Sequence, residues 1–136
     1  MKTKFKSILL IDDKAGDNRY NQIILEQMGV IDKIEIAENG EEALRILVNA
    51  DPSQPKLVFL DINMPRMNGW EFLEMYQSLG MAKTNNEIIV LTTSMNPEDK
   101  IKSDGIFFVT EFQIKPLTPE KIKSILEKYL APHTEQ

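Results

Sequence analysis

The segment LVFLDINMPRMNGWEFL, from Leu57 to Leu73, begins with four apolar residues, follows them with a carboxylate at Asp61, and passes through a loop containing proline and glycine into a helical pattern. A short apolar run bounded by turn signals fits a strand buried on both faces, whereas Phe72, Leu73, Tyr76 and Leu79 recur at helical spacing. The segment therefore reads as strand, loop and helix, the unit from which parallel sheets are built. It also raises an energetic question. A carboxylate at the edge of an apolar core is costly to desolvate unless something compensates its charge, so Asp61 requires partners from elsewhere in the chain.

The same alternation extends in both directions. Strand-like runs occur at FKSILLI (5–11), KIEIA (33–37), KLVFL (56–60) and EIIVL (87–91), with a less regular piece ending in EFQI (111–114). Between and after them, helical spacing is kept by Tyr20, Ile23, Ile24 and Met28, by Ala43, Leu44, Leu47 and Val48, and by Ile122, Ile125, Leu126 and Tyr129. Asn96 before Pro97 and Thr118 before Pro119 are helix-start signals, and Gly29 and Gly80 are stop signals. Asn39-Gly40 would suit a hairpin in isolation, but the helical GEEALRILV that includes Gly40 makes it a strand-to-helix turn. DPSQP (51–55) reads as a loop. Between Asp99 and Thr110 there is room only for a truncated fourth helix before Gly105, and Ile106 to Val109 read as core, with a specialised partner face as the other reading. Right-handed crossovers would cover both faces of the sheet with helices. The expectation is one α/β domain over residues 1–130 followed by a tail at 131–136.

In an open parallel sheet of this kind, ligands bind outside the carboxyl ends of the strands. Those ends carry Asp12-Asp13 after the first strand, Asp61 after the third, Thr92-Thr93-Ser94 after the fourth and Lys115-Pro116 after the last. Three carboxylates at one edge repel by about 3 kcal/mol per pair at ~5 Å and an effective dielectric of ~20. A divalent cation would relieve that repulsion, and an all-oxygen donor set without histidine or cysteine favours magnesium, with manganese as a substitute. Lys115 would add a second positive charge. Such a constellation suits phosphoryl transfer to a carboxylate, with Asp61 attacking in line and forming an acyl phosphate.

In the combination ILLIDD, LVFLDINMPRMNG, IIVLTTS and IKP, the chain resembles the receiver domain of two-component response regulators, in particular the stand-alone receivers of the chemotaxis-regulator type, over roughly residues 5 to 130. The resemblance implies a flavodoxin-like doubly wound (βα)5 fold with a five-stranded parallel sheet of order 2-1-3-4-5. It implies that Asp61 is the phosphoacceptor and that Asp12, Asp13, Asp61 and the backbone carbonyl of Asn63 hold Mg2+. Thr92 and Lys115 would contact the phosphoryl group, Thr92 and Phe112 would form the switch, and the Lys115-Pro116 peptide bond would be cis. Phe112 stands where many members carry tyrosine, so it keeps the ring but lacks the hydroxyl. Asn63 and Ser94 fall where the family tunes hydrolysis, and Asn68-Gly69 form the turn into the third helix. The implied donor is a histidine kinase or phosphotransfer protein, and the implied readout is a separate output protein. The chain would be no enzyme but a signalling domain that promotes its own phosphorylation and dephosphorylation, as a monomer or weak dimer.

Asp12-Asp13 alone could cap the first helix, and Asp61 alone could be a turn residue. A phosphatase of the haloacid-dehalogenase type shares the aspartate, magnesium and lysine but needs a second acid two residues after the nucleophile, where this chain has Asn63. An adaptor that keeps only the fold is the other rival. Trp70, Phe72 and Tyr76 read as helix-face core or partial surface, Thr93 and Ser94 as turn residues, and His133 as a tail residue without function. The dispersed lysines, among them Lys2, Lys4, Lys6, Lys121, Lys123 and Lys128, read as solvated faces. A net charge of −5 speaks against a nucleic-acid partner. The longest apolar runs are too short to span a membrane. The brief apolar stretch near Met1 does not make a signal peptide, so a cytoplasmic location is expected.

Overall fold

The computed structural model describes residues 3–93 and 96–129. In chain order these form β1 (Ser7–Ile11), α1 (Ala15–Met28), β2 (Lys33–Ala37), α2 (Gly40–Val48), β3 (Lys56–Asp61), α3 (Gly69–Ser78), a 3-10 turn (Met81–Lys83), β4 (Glu87–Thr92), α4 (Pro97–Asp104), β5 (Val109–Ile114) and α5 (Pro119–Glu127). All strand pairs are parallel, in the order β2-β1-β3-β4-β5. This is the flavodoxin-like order expected from the resemblance. The expectations for Lys2, Ser94 and His133 lie outside the described residues.

Side chains alternate across the sheet because successive strand residues point to opposite faces. Leu9, Ile11, Val58, Leu60, Ile88 and Val90 pack with Ala43, Leu44 and Leu47 of α2 and Phe72, Leu73 and Tyr76 of α3. On the other face, Ile8, Leu10, Leu57, Phe59, Ile89 and Leu91 pack with Ile24 and Leu25 of α1 and Ile122, Ile125 and Leu126 of α5. Burial on both faces explains why β1, β3 and β4 appear in sequence as continuous apolar runs. Among the described residues β5 is an edge strand paired with β4, and its register with β4 shifts between Ile88 and Ile89, which accounts for its less regular pattern.

The helix signals act as expected at several ends. The side chains of Asn39, Asn96 and Thr118 accept hydrogen bonds from first-turn amides. Gly29 closes α1 in the left-handed conformation, which only glycine adopts without steric cost. DPSQP is a loop in which Asp51 Oδ1 accepts from the amide and hydroxyl of Ser53, holding the Asp51 carboxyl below the ordinary range.

Four expectations need correction. Tyr20 and Ile23 are exposed, and α1 instead buries Asn18, Asn21, Ile24 and Leu25, because its first half faces a polar site. Val48 and Leu79 lie at helix ends beyond the packed stripe and are also exposed. Phe107 is 78% exposed, although its neighbours Ile106, Phe108 and Val109 do pack against the core. Lys121 is not simply solvated, since its ammonium donates to the carbonyls of Ile114 and Pro116.

Candidate functional site

β1 and β3 are adjacent, and the chain leaves them toward opposite faces, so the carboxyl ends of these two strands open onto a crevice. Asp12 follows β1 and Asp61 ends β3; they are 2% and 1% exposed, so the fold places both carboxylates where water cannot compensate them. Together with half-buried Asp13, they can bring one oxygen each within 4.8 Å of one another. Asp12-Asp13 do not cap the first helix: Lys14 is its N-cap residue, and Asp12 Oδ1 accepts from the Lys14 amide at 2.9 Å.

Lys115, just past β5, reaches across the strand ends. Its backbone amide donates to the Thr92 carbonyl at 2.7 Å, which anchors it beside β4. Its ammonium donates to Asp12 Oδ2 at 2.6 Å and lies 3.6 Å from Asp61 Oδ1. The Lys115-Pro116 bond is cis, as the resemblance implied. Burial pulls the Lys115 ammonium toward deprotonation, but hydrogen bonds to Asp12 and Asp17 and the charge of Asp61 outweigh it and raise its pKa.

Asp61 responds in the other direction. Burial raises its carboxyl, Asp12 and Asp13 push it further up, and Lys115 and the Asn63 amide hold it down; the net shift is upward. Its Oδ1 accepts from the Asn63 amide at 3.2 Å. Its Oδ2, like Asp13 Oδ1, is buried without a hydrogen-bond partner among the described residues. Buried acceptors left unsatisfied are rare and need an explanation. Two orphaned oxygens in an all-oxygen acidic cluster fit a hard divalent cation such as Mg2+, and the donor set contains no histidine or cysteine to favour a softer one.

Thr92 is fully buried at the end of β4, and Asn63 Nδ2 donates to its hydroxyl at 3.4 Å. Asn68 and Glu71 form a reciprocal capping box that starts α3, while Arg66 takes a left-handed φ of 65°, a strained conformation for a side-chain-bearing residue. Phe112 packs partly against the core and lines a groove of about 410 Å³ with Pro97, Lys100, Ile114 and Lys121. Thr93 is exposed.

Sequence reasoning missed two residues. Asp17, in the first turn of α1, accepts a hydrogen bond from Lys115 at 2.9 Å. Asn18 Nδ2 donates to the Asp12 carbonyl at 2.9 Å and is buried in doing so. The available signal was their position one helical turn beyond Asp12-Asp13, where α1 leaves the site.

Comparison with known proteins agrees with this geometry. The family model described as the response regulator receiver domain matches residues 8–127. Two-component response regulator 24 of Arabidopsis thaliana is 30% identical over 120 residues, covering 88% of this chain and 81% of that protein. Hybrid signal transduction histidine kinase C of Dictyostelium discoideum is 31% identical over 90% of this chain, which spans only 10% of the kinase. A probable C4-dicarboxylate response regulator of Halalkalibacterium halodurans is likewise spanned over only 50% of its length. Among solved structures, a two-component response regulator from Cytophaga hutchinsonii has a TM-score of 0.81 at 28% identity, covering 90% of this chain and 94% of that one. The chemotaxis protein CheY4 of Vibrio cholerae has a TM-score of 0.74 at 28% identity, covering 93% and 99%. Because the family match runs from the first strand to the last helix and encloses the whole acidic crevice, this chain belongs to the response regulator receiver domains of two-component signalling.

Proposed function

We propose that this chain is a stand-alone receiver that takes a phosphoryl group onto Asp61 from a phosphohistidine of a histidine kinase or phosphotransfer protein and signals through a separate output protein. The observation that carries the reading is the buried Oδ2 of Asp61, without a hydrogen-bond partner among the described residues, beside two further carboxylates and with an ammonium 3.6 Å from the other carboxylate oxygen. In this reading Asp12, Asp13, Asp61 and the backbone carbonyl of Asn63 hold Mg2+, which when bound supplies positive charge against the phosphoryl oxygens. Asp61 is the nucleophile: its oxygen bonds to phosphorus as the donor's phosphorus–nitrogen bond breaks and the imidazole leaves. Lys115 neutralises a phosphoryl oxygen, and the Thr92 hydroxyl donates to another. Drawing Thr92 and Lys115 toward Asp61 favours a second arrangement of β4 and β5, which Phe112 reports at the groove it lines. Attack of water on phosphorus breaks the acyl P–O bond, returns the carboxylate and releases inorganic phosphate.

The reading is tested by intact mass after incubation with Mg2+ and acetyl phosphate, beside Asp61→Asn. A gain of one phosphoryl group, labile to hydroxylamine and absent from the variant, is expected. Equal labelling of the variant overturns the assignment of Asp61, and no labelling together with no beryllofluoride binding supports an adaptor that retains only the fold.

A further inference from the structure

The Lys115 ammonium has more carboxylate around it than phosphoryl chemistry requires. Asp12 and Asp17 hold it at 2.6 and 2.9 Å, whereas Asp61 is 3.6 Å away. Asp12 belongs to the acidic cluster that can hold a metal; Asp17 does not. Asp17 sits in the first turn of α1, and its side chain is 41% exposed while that of Lys115 is 11% exposed. A cation bound to Asp12 competes with the ammonium for that carboxylate. Asp17 is the partner that remains available to the displaced charge, and it is also the partner a phosphoryl group on Asp61 must outcompete.

Resting on the receiver reading, we propose that Asp17 is a positioning residue for Lys115: it accepts the ammonium when metal takes Asp12 and restrains its delivery to the phosphoryl group. The two roles predict opposite effects of one substitution. Asp17→Asn, nearly isosteric and partly exposed, removes the fallback partner and so weakens Mg2+ binding. It also frees the lysine and so tightens beryllofluoride, a phosphoryl mimic. Each change should be about two- to fivefold, the worth of a partly exposed ion pair.

Both constants are measurable by calorimetry on the whole chain, with Mg2+ alone and then with beryllofluoride at saturating Mg2+. A bare field effect of the Asp17 charge is separated by repeating the substitution in a Lys115→Met background, where coupling through the lysine vanishes. Should Lys115→Met fail to fold, the side-chain ammonium resonance of Lys115 in the Mg2+-loaded protein gives the same information: protected from solvent exchange in wild type and in Asp17→Glu, lost in Asp17→Asn. Unchanged constants in Asp17→Asn, changes that persist without Lys115, or an ammonium resonance indifferent to Asp17 each overturn the proposal. A wild-type protein that binds neither Mg2+ nor beryllofluoride overturns the receiver reading and this one together, an outcome distinct from wild-type binding that Asp17→Asn leaves unaltered.

Discussion

At the residue scale, Asp61 is held in a conflict that metal-free folding does not resolve. Its pKa lies above the ordinary aspartate value because burial and the neighbouring Asp12 outweigh the help it receives from Lys115 and the Asn63 amide. A carboxyl with a raised folded-state pKa contributes stability that is fully present below about pH 4, the unfolded value, and is lost as pH rises through the folded value. In chelator at pH 7, Asp61→Asn should therefore melt above wild type, and the gap should close as the pH falls toward 4. Added Mg2+ should raise the melting temperature of wild type much more than that of the variant. Thermal melts across pH check both statements; a variant less stable than wild type at neutral pH without metal would contradict them. The orphaned oxygens of Asp13 and Asp61 point the same way, since desolvated acceptors without partners weaken a fold until something coordinates them.

At the scale of elements, the loop from β3 to α3 shows how tightly the site is built. A Cβ on Gly69 would lie 2.6 Å from the Ile62 Cα, a backbone atom one residue from Asp61 that cannot move without disturbing the site. A Cβ on Gly40 would instead meet the thioether sulfur of Met67, the adaptable end of a flexible side chain. Gly69→Ala should thus cost about 2–3 kcal/mol in urea denaturation and weaken Mg2+ binding. Gly40→Ala should stay within about 1 kcal/mol of wild type, helped by the helix propensity of alanine. Comparable losses at both positions would show that the loop yields more than its packing suggests. α1 carries a different lesson. Its buried polar pair, Asn18 and Asn21, breaks the apolar stripe that sequence patterning looks for, so spacing alone favoured Tyr20 and Ile23. Asn18 is buried because its amide secures the carbonyl at the end of β1, a tertiary role with no periodic signature.

Across the whole molecule, the two ends of the sheet divide their work. At the amino ends of the strands, the Lys56 ammonium, on a residue only 7% exposed, donates to Ser7 Oγ at 2.9 Å and to Glu35 Oε1, linking β3 to β1 and β2. β3 spans Lys56 to Asp61, so this cluster lies about 16 Å from the acidic crevice at ~3.3 Å per residue. Lys56→Met should lower stability by about 2 kcal/mol while leaving Mg2+ affinity and phosphoryl uptake at 25 °C unchanged. Chemical denaturation alongside calorimetry checks this separation, and a loss of Mg2+ affinity would show that the ends are coupled. No helix among the described residues is long and apolar enough to cross a membrane.

What the sequence alone determined was the alternation of strands and helices, the strand ends, and the residues gathered there. Strands buried on both faces must be contiguous apolar runs, and a parallel sheet aligns all its carboxyl ends, so Asp12, Asp13, Asp61, Thr92 and Lys115 are legible as one group from the chain alone. Only the tertiary structure decided which carboxylates hold Lys115, that Asn18 and Lys56 are buried in polar networks, and that Phe107 faces outward. Asp17 and Lys115 are separated by 98 positions, and contacts across such distances depend on side-chain direction at packed elements, which no local period in the chain encodes.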